Sequence, residues 1–129
     1  MTIGMATTLR NLRLDAISTA AGSASKLQIY DGTRPATGGT ATNKLAEFTM
    51  GSPFAAASSS GVLTITLPAN TTGLFAGAAT WARLVTSGAV FVMDMSVSTS
   101  GADINLNTTT VSVGVAVALT SASLTDGNP

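Results

Sequence analysis

Few side chains here can do chemistry, and those that can stand apart. The densest polar pattern is Asp103-Ile104-Asn105-Leu106-Asn107. Strand alternation places its three oxygen-bearing side chains on one face, and hard cations such as Ca²⁺ take oxygen ligands. An EF-hand loop opens with the same D-x-N-x-N form. However, Thr108 stands where that loop needs glycine, and Gly114 where it needs a bidentate glutamate. A half-solvated strand accounts for the same alternation. The acids Asp15, Asp31, Glu47, Asp94, Asp103 and Asp126 are scattered, and no spacing joins two of them for glycoside cleavage. There is no histidine or cysteine, so a serine or threonine nucleophile has only Lys26 or Lys44 as a base. Gly38-Gly39 fits no phosphate-binding fingerprint and reads as loop flexibility. Asn70-Thr71-Thr72 and Asn107-Thr108-Thr109 have the form of glycosylation sequons, which come cheaply in a chain with 35 serines and threonines. Trp81 and Arg83, two apart, offer a sugar-stacking or cation–π platform if exposed, and Trp81 is a core residue if not. The residues point to no enzyme, no cofactor and no metal.

Composition agrees. The 129 residues are 45% hydrophobic and only 9% charged, with six basic and six acidic side chains. An ordinary soluble domain carries about 25% charged residues. Charge balance gives no basic footprint for nucleic acid or an anionic membrane surface. The missing cysteines exclude a disulfide framework and, with the missing histidines, the usual zinc sites. No uncharged stretch is continuously apolar for the roughly 20 residues that a spanning helix needs. Leu14 to Ala24, preceded by Arg10 and Arg13, imitates a secretion signal, but Asp15, Ser18 and Thr19 interrupt it. A surface poor in Lys and Glu and rich in Ser, Thr, Ala and Gly is interface-like, because it packs against a neighbour without burying unpaired charge.

The elements follow from periodicity. Residues 1–7 read as a flexible arm. From Thr8 to Gly22, Leu9, Leu12, Ala16 and Ala20, with Leu14, Ile17 and Ala21, recur at helical spacing, Thr7 or Thr8 serving as N-cap. Alternation then predicts strands at Lys26–Tyr30, Lys44–Met50, Val62–Leu67, Ala79–Thr86, Ala89–Val97, Asp103–Asn107 and a long one at Val111–Leu119. Asp31-Gly32 and Ser87-Gly88 read as turns, Thr33–Thr42 as a loop and Ala55–Gly61 as a linker. Residues 126–129 read as a frayed tail. The expectation is an all-β domain over 8–125: an antiparallel β-sandwich, jelly-roll-like, of about eight strands, with one short N-terminal helix at 8–22.

The segment Tyr30-Asp31-Gly32-Thr33-Arg34-Pro35-Ala36-Thr37-Gly38-Gly39-Thr40, after a Leu/Asp/Ala helix, resembles small structural proteins of tailed bacteriophages. Leu45-Ala46-Glu47, Ala79–Val85 and Gly101–Asn107 match the same group, over about residues 8 to 125. The resemblance implies a virion protein, most like a capsid cement or decoration protein with a jelly-roll fold. Such a protein is made in the host cytoplasm and resides in the phage head. Its partners would be the major capsid protein and copies of itself, as a dimer or trimer, with no direct contact to nucleic acid or membrane. The contacts are expected at Arg10 and Arg13 on the helix and at Tyr30, Arg34 and Pro35 on the loop. The alternatives are a tail or baseplate component that binds carbohydrate through Trp81, and a β-sandwich hydrolase using Asp94 or Asp103.

Overall fold

A computed structural model describes residues 4–126. One helix, α1 (Thr7–Ala21), precedes a chain that is mostly strand: β1 (Lys26–Tyr30), β2 (Lys44–Thr49), β3 (Val62–Thr64), β4 (Thr71–Thr72), β5 (Gly77–Ala78), β6 (Trp81–Val85), β7 (Phe91–Ser98), β8 (Ile104–Leu106), β9 (Thr110–Val111), β10 (Ala116–Val117) and β11 (Leu119–Thr125). Seven of them form a curled sheet in the order β2-β1-β6-β7-β8-β11-β3, and β10-β4 and β5-β9 are separate ribbons. The sheet is mixed, not purely antiparallel: Val97 and Ser98 pair in parallel with Ile104 and Asn105. A five-residue connection makes that contact and is too short for a regular crossover. Side chains support it instead, Asn105 bonding both the N–H and the C=O of Ala102 at 3.1 Å.

One hydrophobic core forms against the inner face of the sheet. Leu27 and Ile29 of β1, Phe48 of β2, Leu84 of β6, Ile104 and Leu106 of β8 and Leu63 of β3 all belong to it. Burying each such side chain contributes about 1.5–3 kcal/mol. The linker expected at 55–61 contributes as well. Ala55 is buried beside Phe54, and Ala55 bridges to Ile65.

The helix reads its two apolar sets differently. Leu14, Ile17 and Ala21 meet the core, whereas Leu9 is 46% and Leu12 63% exposed, with Ala16 and Ala20 beside them. The inward position goes to polar groups. The Ser58 N–H donates to Asp15 Oδ1 at 2.8 Å, and the Gly61 N–H to Asn11 Oδ1 at 3.0 Å. Arg10 Nη1 donates to the Asp126 carbonyl at 2.9 Å, and Arg13 pairs with the Asp126 carboxylate at 3.2 Å. Asp126, the first residue of the expected tail, is thus held; the rest of that tail and the start of the arm, residues 127–129 and 1–3, lie outside the described residues. The expected cap differs too. Ala6 stands at the N-cap with no side-chain bond, and the Thr7 hydroxyl accepts from Arg10 Nη2 instead.

The long strand expected at Val111–Leu119 is broken. β9 and β10 pair with different partners, and Ser112 to Val115 form a turn closed by Val115 N–H to the Ser112 carbonyl at 3.2 Å. Val113 and Val115 are 66% and 55% exposed. The alternation of valines runs across a turn, so it shares no single face. Gly73 locks this turn: it donates to the Val115 carbonyl and accepts from the Gly114 N–H, both at 3.0 Å. A Cβ on Gly73 would collide with the Ser112 carbonyl oxygen and stand 2.8 Å from Val111 Cγ1. Gly73→Ala is therefore expected to cost about 1–3 kcal/mol in urea unfolding. Gly88→Ala, whose Cβ meets nothing nearer than Thr86 Oγ1 at 3.8 Å, should stay within about 0.5 kcal/mol of wild type.

Candidate functional site

The outer face of β1, β2, β6 and β7 brings Tyr30, Trp81 and Phe91 together with a group of polar side chains. Alternation along β1 and β6 sends Leu27, Ile29, Ala82 and Leu84 inward and leaves Gln28, Tyr30, Trp81 and Arg83 outside. Register sets them opposite one another, Tyr30 against Trp81 and Gln28 against Arg83, while Arg83 faces Asp94 across the β6–β7 hairpin. The turn of that hairpin is the expected Ser87-Gly88 segment, closed by Thr86 N–H to the Val90 carbonyl at 2.9 Å.

Arg83 is the centre. Its Nε and Nη2 fork onto the two Asp94 carboxylate oxygens at 2.7 and 3.1 Å. Its guanidinium carbon sits 5.2 Å from the Trp81 ring and 5.1 Å from the Phe91 ring. The hydrogen bonds that Arg83 donates to Asp94 push its pKa further up despite burial. Tyr30 stacks on Trp81 with centroids 4.5 Å apart and 18° between planes. Burial raises the Tyr30 phenol pKa, and its hydroxyl donates to Gln28 Oε1 at 2.8 Å. Gln28 in turn donates to Glu47, which also pairs with Lys44 at 3.1 Å. Desolvation acts to raise the Glu47 pKa, but the bonds from Gln28 and Lys44 outweigh it and hold the carboxyl below its ordinary value.

The segment after β1 folds over this face. Asp31 accepts from the Asn43 backbone N–H at 3.0 Å, and that bond lowers its pKa. Trp81 Nε1 donates to the Asp31 carbonyl at 3.0 Å, and the Thr80 hydroxyl to the Gly32 carbonyl at 2.6 Å. Trp81 is consequently only 2% exposed, though it lies outside the main core. Tyr30 and Arg83 cover its faces, so the ring presents no platform to a sugar.

The five residues expected to touch a partner do not form one site. Arg10 and Arg13 lie on α1, both turned to Asp126. Tyr30 is buried, stacked on Trp81. Arg34 and Pro35 line a surface groove of about 400 Å³ against Phe91 to Asp94. Of the six basic and six acidic side chains, Arg34 alone has no hydrogen bond or ion pair among the described residues. Asp103, Asn105 and Asn107 serve neighbouring groups: the Ser96 hydroxyl and N–H, Ala102, and the Ala118 N–H. Phe91 and the role of Asp94 as the partner of Arg83 were not singled out from sequence. Counting outward from Ser87-Gly88 as a two-residue turn sets Val92 opposite Arg83. The turn instead closes from Thr86 to Val90 and the register shifts between Leu84 and Val85, which brings Asp94 there. The pairing therefore has no local signal in the sequence. No known protein family, curated protein or solved structure matches the chain.

Two outcomes follow. The Arg83 and Asp94 side chains are only 11% and 8% exposed, so Asp94→Ala strands a guanidinium and should cost about 3 kcal/mol in urea unfolding. The double change Arg83→Met with Asp94→Leu should lose clearly less than the sum of the single changes. Asp15, Asp31 and Glu47 all have pKa values below their ordinary ones, Asp15 chiefly through the Ser58 N–H. Each contribution is complete above the ordinary carboxylate pKa and is lost as pH falls through the lower value held in the fold. Stability should therefore decline in acid. Asp15→Asn, which keeps an acceptor for Ser58, should flatten that decline in urea titrations at successive pH values.

Proposed function

We propose that the chain is a virion structural protein, a capsid cement or decoration protein that binds between major capsid protein subunits and stabilises the phage head. The observation that carries this reading is the surface. Charge is scarce, and all of it except Arg34 is engaged within the fold. Between these paired ions the exterior is mostly Ser, Thr, Ala and Gly, with exposed Leu9, Leu12, Leu67, Leu74, Phe75, Val90, Val113 and Val115. Such a surface associates with few ions to desolvate. It is also poorly suited to a free monomer, which keeps surface charge for solubility.

The mechanism is mass action. A small domain bound across a seam adds contact area to the closed shell and none to separated subunits, so it shifts the equilibrium toward the closed particle. Symmetry repeats each modest contact around the shell. The matching reading of the fold is a jelly-roll-like sandwich. Its support is that residues from both ends of the curled sheet, Phe48 of β2 and Leu63 of β3, share one core.

Purified particles test the role. Mass spectrometry and imaging should find the chain in the head, on the order of hundreds of copies per particle, and heads lacking it should open at lower temperature. Density confined to the tail, at a few copies, would replace this reading with that of a tail or baseplate component. Absence from particles would end both.

A further inference from the structure

One strand of the sheet is only half used. β7 pairs with β6 from Phe91 to Ser96, but with β8 at Val97 and Ser98 alone. The Ser96 N–H points away from β6, since it donates to Asp103 Oδ2 at 3.2 Å. Main-chain direction alternates with a period of two residues, so the N–H and C=O of Asp94 face the same side. No strand of the described residues lies there to receive them. The gap is flanked on the outer face by the groove of about 400 Å³ beside Arg34 and on the inner face by one of about 370 Å³ beside α1. Met93 lines both grooves.

An open edge with room on both sides suits an added strand, in which main-chain bonds supply affinity and side-chain contacts supply selection. Here the selecting group is Arg34, exposed on the loop and the one charged side chain without a partner among the described residues. It calls for a carboxylate. In a second copy of the chain all six acids already hold a group of their own fold, so pairing with Arg34 would compete with those contacts. A different protein can bring a free one.

We infer that the open half of β7 accepts an extended segment of a different protein as an added strand, with an Asp or Glu of that segment paired to Arg34. The inference rests on the binding role proposed above and supplies its surface and the chemistry of its partner. About five extended residues span the gap.

The probe is a seven-residue capped peptide of alternating Thr and Val with Asp at its centre, titrated into ¹⁵N-labelled protein. The expected result is a shift of the Asp94 amide signal and slower exchange of that amide. Replacing the central Asp by Asn, or making Arg34→Ala, should weaken binding about fivefold. Arg34→Glu should reverse the preference toward a peptide with a central Lys. Three results overturn the proposal: an Asp94 amide indifferent to the peptides, an affinity unchanged by Arg34→Ala, or the same amide protected by self-association at high protein concentration. Particles separate this surface from the role. Wild-type chain in the head with Arg34→Glu incorporated equally well overturns the surface and leaves the role standing. Wild-type chain missing from particles overturns the role, while Asp-selective peptide binding at Asp94 still supports the edge.

Discussion

The outer half of this molecule depends on withdrawing one guanidinium from water. A cation the size of Arg83 loses several kcal/mol of hydration on burial, and only a well-formed partner offsets that loss. Asp94 accepts two bonds from the guanidinium, which also lies over the Trp81 and Phe91 rings. Each of these requires the others. The fork needs Arg83 and Asp94 opposite one another, which sets the β6–β7 register. Trp81 in turn is covered by Tyr30, which stacks on it. The Trp81 N–H needs an acceptor, and the Asp31 carbonyl supplies it by drawing the loop across the sheet. A single ionic contact thereby organises two hairpins and a loop.

The same economy runs through the rest of the chain. Cations and anions are few, and nearly all are spent on holding distant segments together: helix to last strand, loop to first strand, β1 to β2. Apolar groups still turn in and the ions stay at or near the surface, but the ions are tied up in contacts rather than free. Between them the exterior is hydroxyls, methyls and a few large apolar side chains, the kind of exterior that tolerates close neighbours.

Sequence reasoning reached the elements whose patterns are purely local. The helix, its end at Gly22, β1 with its Asp31-Gly32 turn and the β6–β7 hairpin were all legible, because periodicity and turn residues specify them over short distances. It failed where the third dimension reassigns a face. Leu9 and Leu12 have the spacing of a core stripe, yet the bonds of Asn11 and Asp15 to the 58–61 turn rotate them outward. Val113 and Val115 keep a strand rhythm across a tight turn that only the contact with Gly73 reveals. The parallel β7–β8 contact has no local signature at all. For the candidate site, Arg34 and Pro35 were legible as loop residues, whereas the groove they share with Phe91 required knowing where the loop lands.

The clasp between α1 and Asp126 has a mechanical side. Arg10 and Arg13 grip Asp126 through its carbonyl and its carboxylate, and Gly61 accepts from the Asp126 N–H at 2.9 Å. A tension applied between Thr7 and Asp126 would load these few polar contacts before any rung of the β1–β6–β7 ladder. Once they part, the pull falls on α1 and on the β11–β3 end of the sheet, which lie next to the two grips. The molecule thus carries a yielding link beside Thr7 and Asp126, and a stretch between them is taken up there before it reaches the arginine-centred face.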